Sequence, residues 1–257
     1  MDRSAGHGAV SRQAAFFDVD GTVVATASTL AFGRPLYRHG LLTPGALLKS
    51  AYAQLVYRFV GVDEARMERL RATALQVTRG WDPERVRRLI REALAEVLGP
   101  LVYPEARELF ERHRAAGHEL YLVSSSGVEV IEPLAEYLRV PRVLASRAGI
   151  GVDGRYDGTL AFYCYGPAKA AALRDEARRR GLDLAASYAY SDSVTDLPML
   201  ETVGHPVAVN PDRRLRLAAR QRGWPISGFA HPVGRRRGRA RVWARATAQR
   251  APAGGER

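Results

Sequence analysis

Residues 14–24 read Ala-Ala-Phe-Phe-Asp-Val-Asp-Gly-Thr-Val-Val, an apolar run of strand length that ends in two carboxylates at alternate positions. Side chains alternate between the two faces of a strand, so Asp18 and Asp20 project to the same side. If the chain turns at Gly21, both carboxylates can reach one point beyond the carboxyl end of the strand, where open α/β sheets bind their ligands. Two such carboxylates repel unless they share a proton or a cation lies between them, and their oxygens suit Mg²⁺. The alternative is an ordinary acidic turn, since Asp and Gly are frequent turn residues.

The composition is that of a folded protein with a substantial core. The chain has 257 residues, 46% of them hydrophobic and 26% charged, which is enough for one large domain or a domain with an insertion. Its one cysteine, Cys164, excludes an internal disulfide and fits a reducing compartment. The six histidines show no paired spacing that would indicate a zinc site.

The net charge of +12 is concentrated at the end of the chain, because residues 231–257 contain eight Arg and one Glu. We therefore expect no nucleic-acid partner. A peripheral contact with an anionic membrane remains an alternative, through the Arg-rich tail or an amphipathic helix within residues 41–62. No apolar stretch has the length of a transmembrane helix and no signal peptide precedes residue 14, so the expected location is the cytoplasm.

The order of the elements predicts an α/β fold with an inserted helical module. Four helical patterns without an intervening strand fill residues 28–99, at 28–39, 45–60, 63–78 and 83–98. Strands and helices then alternate over residues 100–230, which predicts a Rossmann-like parallel sheet with helices on both faces. Together with residues 14–27 this part forms the expected core domain. Residues 1–13 and 231–257 are expected to be disordered.

Within the core, the predicted strands are 119–123, 142–145, 187–190 and 206–209, and the predicted helices are 104–116, 124–138, 167–180, 194–202 and 211–222. Residues 150–163, with turns at 153–154 and near 157–158, are expected to form either a β-hairpin or an irregular excursion. Because the carboxyl ends of parallel strands meet at one edge, the residues after each strand are candidates to join Asp18.

Two of the later loops carry groups that suit a phosphate and a metal ion. Ser124 and Ser125 follow a strand and open a predicted helix, where free backbone N–H groups favour phosphate, although a helix N-cap is an equal alternative. Asp192 and Asp196 follow another strand at the start of a predicted helix. They either cap that helix or belong to a carboxylate cluster that binds a divalent cation. Lys169, one of only two lysines beside 37 arginines, offers a compact positive charge near the start of a third helix.

These pieces, in this order, resemble the haloacid dehalogenase superfamily of phosphohydrolases. The matching stretches are Asp-Val-Asp-Gly-Thr at 18–22, Ser124, Lys169, and Asp-Ser-Val-Thr-Asp at 192–196. The helical insertion resembles the cap domain of the phosphoserine-phosphatase-like branch. The resemblance implies that Asp18 is the nucleophile of an aspartyl-phosphate mechanism and that Asp20 is the general acid and base.

The same resemblance implies the remaining site residues. Mg²⁺ is expected to bind the Asp18 carboxylate, the Asp20 backbone carbonyl and Asp192, with Asp196 orienting Lys169 or a metal-bound water. The phosphate group is expected to contact Gly21, Thr22, Ser124, Ser125 and Lys169. The expected partner is a small-molecule phosphomonoester.

The substrate is expected to differ from phosphoserine. Phosphoserine phosphatases carry Ser at the position of Gly21, an acidic residue at that of Ala27 and Asn at that of Thr195. A small or lipid-like phosphomonoester fits better, with Ala25, Ala27, Leu30 and Phe32 expected to line the entrance. Phosphotransfer to a second alcohol, and a non-catalytic protein that binds a phosphate ligand or a membrane, stay open as alternatives.

Overall fold

A seven-stranded sheet forms the centre of the molecule. The computed structural model describes residues 12–42, 72–73 and 75–230. The strand order is β4-β3-β2-β1-β5-β6-β7, and all neighbours are parallel except β3 and β4, which are antiparallel. The strands are β1 (Ala14–Asp18), β2 (Glu119–Gly127), β3 (Arg142–Ile150), β4 (Tyr156–Phe162), β5 (Tyr188–Ser191), β6 (His205–Val209) and β7 (Ile226–Ser227).

Helices connect most of these strands. They are α1 (Ser28–Ala31), α2 (Gly33–Arg38), α3 (Pro83–Val97), α4 (Pro104–Ala115), α5 (Val128–Leu138), α6 (Pro167–Arg180), α7 (Leu197–Leu200) and α8 (Arg213–Arg222), with 3₁₀ turns at Gly99–Leu101 and Val194–Asp196. The predicted start of α3 is confirmed: the Asp82 side chain accepts hydrogen bonds from the backbone N–H groups of Glu84 and Arg85, and Pro83 follows it.

Each face of the sheet packs against its own set of helices. Ala15 and Phe17 of β1 point into a core built with α3, α4 and α5, while Ala14 and Phe16 point into a second core built with α6, α7 and α8. All four side chains are at most 1% exposed. A central strand that is buried on both faces explains the uninterrupted apolar run that precedes Asp18. The predicted sheet with helices on both faces is confirmed.

Several predicted boundaries are wrong for reasons that lie outside the local sequence. Residues 124–127 do not open α5, because β2 continues past Ser124, which pairs with Ala145, to Gly127. The single helix predicted over 28–39 is divided at Phe32 into α1 and α2. The helix predicted over 194–202 is a 3₁₀ turn followed by the short α7.

The hairpin is partly confirmed. It joins β3 and β4 through a turn at residues 151–154, where the Gly154 N–H donates to the Gly151 carbonyl. The second predicted turn is wrong, because Asp157 and Gly158 lie inside β4.

The hairpin also contacts the helical insertion. The Gly80 N–H donates to the Tyr156 carbonyl at 2.8 Å, and the Tyr156 N–H donates to the Trp81 carbonyl at 3.0 Å. The predicted helix 45–60, most of the one at 63–78, and residues 1–11 and 231–257 of the two terminal segments lie outside the described residues. Residues 12 and 13 are described, and Arg12 pairs with Leu182 in an isolated parallel β-bridge. The division into core and cap domains stays a prediction. Within the described part of the chain, no helix is long and apolar enough to cross a membrane.

Candidate active site

The carboxyl ends of three adjacent strands bring the sequence motifs to one edge of the sheet. β1 lies between β2 and β5, with Asp18 level with Val123 and Phe17 level with Tyr190. Ser124, inside β2, and Asp192, directly after β5, therefore each lie one position beyond the level of Asp18. Lys169 reaches the same edge from α6, where it lies in the first turn of the helix.

Lys169 connects two of the predicted carboxylates. Its Nζ lies 2.5 Å from Oδ1 of Asp18 and 2.7 Å from Oδ2 of Asp196. All three residues are buried, with exposures of 3%, 6% and 2%. The Ser191 hydroxyl donates to the same oxygen of Asp196 at 2.8 Å. The Asp196 carboxylate therefore accepts hydrogen bonds from two donors, Lys169 and Ser191, and its role in orienting Lys169 or a metal-bound water stays a prediction.

The electrostatics of this cluster show a shortage of positive charge. Burial opposes the charge of Lys169, but the carboxylates of Asp18 and Asp196 outweigh it and raise the pKa of the lysine, which stays protonated. Burial raises the pKa of Asp18 well above its usual range, against the effect of Lys169 and together with the charges of Asp196 and Asp192. Burial likewise raises the pKa of Asp192 to about 7. Two carboxylates thus contact Lys169, and Asp192 adds a third negative charge nearby.

Gly21 permits Asp192 to approach the loop after β1. Its φ of +92° belongs to the left-handed region, and a Cβ at this position would lie 2.1 Å from Oδ2 of Asp192. The neighbouring Thr22, which is 1% exposed, donates from Oγ1 to Oδ1 of Asp192 at 3.2 Å. Gly21 and Thr22 therefore position an acidic side chain in this structure.

Asp20 has partners of its own. Its Oδ1 accepts the Ser28 N–H at 2.7 Å and its Oδ2 accepts the Ser126 hydroxyl at 2.9 Å. Asp18 and Asp20 thus leave the same strand end but are held by different groups. Ser28 and Ser126 are not among the site residues that the sequence motifs predict. For Ser126 a signal was present, because it stands two residues after Ser124 and so on the same face of a strand.

The remaining predicted residues are placed as follows. Ser124 is 1% exposed, and its Oγ accepts the Ser126 N–H at 3.0 Å. Ser125 lies half-buried in β2 between them. Of the residues expected to line the entrance, Phe32 does not, because it is 0% exposed and packs in the core formed with α3, α4 and α5.

The donor set fits Mg²⁺. Among the described residues, no three His, Cys, Asp or Glu side chains form a metal-binding group. A magnesium ion keeps several waters and needs only one or two carboxylates from the protein. Asp18, Asp192 and the Asp20 backbone carbonyl, the predicted ligands, would supply two carboxylates and one further oxygen. The cluster of three carboxylates and a single lysine is also short of positive charge, as a cation site requires.

Comparison with known proteins agrees with this arrangement. A family model for haloacid dehalogenase-like hydrolases matches residues 15–201. The chain is 49% identical over 222 residues to the inhibition of morphological differentiation protein of Streptomyces azureus, covering 86% of this chain and 80% of that protein. It is 47% identical over 223 residues to a probable phosphatase of Mycobacterium tuberculosis, covering 87% and 77%. It is 31% identical over 222 residues to a histidinol-phosphatase of Neisseria meningitidis, covering 84% and 98%.

Solved structures agree on the fold. A protein of unknown function from Bordetella pertussis matches with a TM-score of 0.73 and 27% identity over 84% of this chain and 98% of that one. A phosphoserine phosphatase, solved as an analogue of its phospho-aspartyl intermediate, matches with a TM-score of 0.60 and 16% identity over 86% and 95%. The chain belongs to the haloacid dehalogenase-like hydrolase family, as a phosphatase of its phosphoserine-phosphatase-like branch.

Proposed function

We propose that this phosphatase hydrolyses small or lipid-like phosphomonoesters with Mg²⁺, through an aspartyl-phosphate intermediate on Asp18. The observation that carries the proposal is the buried contact of Lys169 with both Asp18 and Asp196 at the carboxyl edge of the sheet. A lysine buried between two carboxylates is costly unless a function or a strong network requires it. At this position its charge is available to oxygens of a transferring phosphoryl group.

In the first step a carboxylate oxygen of Asp18 attacks phosphorus. The bond between phosphorus and the ester oxygen breaks as the new bond forms, and the electron pair stays with the leaving oxygen. Asp20 gives its proton to that oxygen, so that an alcohol departs. Lys169 and the Ser124 hydroxyl bind phosphoryl oxygens while negative charge redistributes. We assign Gly21 and Thr22, in the loop after β1, and Ser125, inside β2, to the surroundings of this group.

The second step returns the enzyme to its starting state. Asp20, now ionised, takes a proton from a water molecule whose oxygen attacks phosphorus. The bond between phosphorus and the Asp18 oxygen breaks, which releases inorganic phosphate and a free carboxylate. Asp18, Asp192 and the Asp20 backbone carbonyl would hold Mg²⁺, which would neutralise the charge of the phosphoryl oxygens. Asp196 keeps Lys169 in place throughout.

The substrate proposal depends on what the chain lacks at residue 27. An ammonium group on the substrate needs a carboxylate partner, and Ala27 has none. Phosphoserine is therefore a poor candidate, and an ester with an uncharged or apolar leaving alcohol fits better. The histidinol-phosphatase relative makes histidinol phosphate a necessary member of any test panel.

The test is phosphate release from a panel of phosphomonoesters that includes 4-nitrophenyl phosphate, phosphoserine, histidinol phosphate, glycerol 3-phosphate and an isoprenyl monophosphate. Each is measured with Mg²⁺ and with EDTA, beside Asp18→Asn as the control. Metal-dependent turnover that Asp18→Asn abolishes is the expected result. Turnover no greater than that of Asp18→Asn on every ester would overturn the proposal. Loss of the ester without equivalent free phosphate, in the presence of a second alcohol, would instead indicate phosphotransfer.

A further inference from the structure

Ser126 touches two groups that the proposed reaction uses. Its hydroxyl donates to Oδ2 of Asp20 at 2.9 Å, and its backbone N–H donates to Oγ of Ser124 at 3.0 Å. A third residue completes the arrangement, because the Ser28 N–H donates to Oδ1 of Asp20 at 2.7 Å and the Ser28 hydroxyl lies 3.2 Å from that of Ser126. Both oxygens of the Asp20 carboxylate therefore have a donor.

The position of Ser126 follows from an irregularity in β2. The pairing of β2 with β3 changes register between Ser124 and Gly127. Within this irregular stretch the Ser126 N–H donates to the Ser124 hydroxyl. Ser28, at the beginning of α1, is 0% exposed and limits the space in which the Ser126 hydroxyl can turn. The donor to Asp20 is thus a side chain of β2, inside the sheet, and not an exposed group on the surface.

We propose that Ser126 is a positioning residue for Asp20, which it keeps in the orientation needed to pass a proton to the leaving oxygen. This inference rests on the proposed function. A carboxylate has about four lone-pair sites, so one hydrogen bond to each oxygen fixes the carboxyl plane and leaves sites for the transferred proton. Without the Ser126 hydroxyl, the Asp20 carboxylate keeps only the hydrogen bond from the Ser28 N–H. It can then rotate out of the orientation needed for proton transfer.

The chemistry provides a readout that a purely structural role does not affect. A 4-nitrophenolate ion leaves phosphorus readily without a proton, whereas an alkoxide leaves only when it is protonated. Misplacing a general acid therefore slows hydrolysis of alkyl esters much more than of 4-nitrophenyl esters. The ratio of kcat/KM for the two esters reports on the first step alone, because kcat/KM excludes the later hydrolysis of the intermediate.

The experiment compares wild type, Ser126→Ala and Ser126→Thr on 4-nitrophenyl phosphate and on glycerol 3-phosphate, both with Mg²⁺, with Asp18→Asn as the blank. We expect Ser126→Ala to lower kcat/KM by about tenfold or more on the alkyl ester and by less than about threefold on the aryl ester. Ser126→Thr keeps a hydroxyl and is expected to recover most of the loss. Thermal unfolding of each variant checks that the fold is retained.

The outcomes separate the two proposals. Equal losses of kcat/KM on both esters, or no loss on either, would overturn the role of Ser126 and leave the proposed function standing. A failure of Ser126→Thr to recover more activity than Ser126→Ala would also count against it. Wild-type turnover no greater than that of Asp18→Asn would overturn the proposed function and this inference together. If Ser126→Ala does not fold, the ester ratio of Ser126→Thr and of Ser126→Cys, whose thiol is a weak donor, decides in the same way.

Discussion

The Nζ atom of Lys169 lies 2.5 Å from Oδ1 of Asp18, and both residues are almost completely buried. Asp196, 2.7 Å from the same nitrogen, is the third member of this network. A charge at such a depth depends on its partners, because desolvation costs several kcal/mol per ion unless opposite charges and hydrogen bonds compensate it. The network therefore links the stability of the fold to the chemistry of the site.

We first predict that Lys169→Met destabilises the protein by about 3 kcal/mol at pH 8, because it leaves the carboxylates of Asp18 and Asp196 without a cation. The loss is expected to be smaller at pH 5.5, since the pKa of Asp18 is raised and a proton can then neutralise it. Urea denaturation at the two pH values measures both effects. Phosphatase activity is expected to fall at least about a hundredfold.

The matched control for this prediction is the double variant Lys169→Met with Asp196→Asn. Removing one of the two unpaired carboxylates is expected to recover part of the lost stability. A double variant as unstable as the sum of the two single variants would show that the three side chains do not act as a network.

A second prediction concerns Gly21, whose added Cβ would lie 2.1 Å from Oδ2 of Asp192. Gly117 is the control, because its φ of +76° is similar and nothing lies within 4 Å of its added Cβ. A left-handed backbone costs a non-glycine residue about 1–2 kcal/mol, so Gly117→Ala is expected to lose that amount. Gly21→Ala is expected to lose about 1–3 kcal/mol more, because Asp192 must move. Equal losses in thermal or urea unfolding would contradict this prediction.

Much of the site could be predicted because strand alternation and motif order are local properties of the sequence. The apolar run before Asp18, the loops that contain Ser124 and Asp192, and the lone Lys169 all indicate the same sheet edge. The parallel register of β1 with β2 and β5 then brings Asp18, Ser124 and Asp192 to the same edge, and Lys169 reaches them from α6. These residues lie together at the predicted edge of the sheet, and that this edge is the active site stays a prediction.

What could not be predicted depends on contacts between distant segments. Ser126 is 106 positions from Asp20, and nothing in its own surroundings indicates that it bonds to that carboxylate. The extension of β2 beyond Val123 requires pairing with β3, which the local pattern of three serines and a glycine does not reveal. Phe32 was expected at an entrance but is 0% exposed and packs in the core that contains residues of α3, α4 and α5, which are distant from it in the sequence.

The third prediction is that Mg²⁺ raises the unfolding temperature of the wild-type protein, measured without substrate. A ligand present at 100 times its dissociation constant stabilises by about 2.7 kcal/mol, which is an increase of about 5 °C or more for a chain of this size. Asp192→Asn is expected to remove the increase, although it can raise the metal-free stability by relieving carboxylate repulsion. Asp175→Asn, which changes an exposed carboxylate on α6, is expected to retain the Mg²⁺-dependent increase in unfolding temperature. An increase that persists in Asp192→Asn would exclude Asp192 as a ligand.

The last prediction concerns His113, which lies on α4 and is 6% exposed. Its Nε2 is 2.7 Å from the Tyr190 hydroxyl and its Nδ1 is 2.8 Å from Nδ1 of His118. Burial, with a smaller effect of His118, lowers the pKa of His113 to about 4. The unfolded chain, with a His pKa of about 6.5, binds more protons between these two values, so the free energy of unfolding falls as the pH is lowered from about 6.5 to about 4.

The full loss over that range corresponds to about 3 kcal/mol from His113 alone. Other groups change stability in the same range, and Asp192 does so with the opposite sign, because its pKa in the folded state is raised to about 7. The informative quantity is therefore the difference in the free energy of unfolding between wild type and His113→Gln. The glutamine side chain cannot take up a proton. In urea titrations the two are expected to differ progressively more below pH 6.5, with wild type losing stability faster. Parallel curves down to pH 4 would show that the buried imidazole is not the group whose protonation opposes folding.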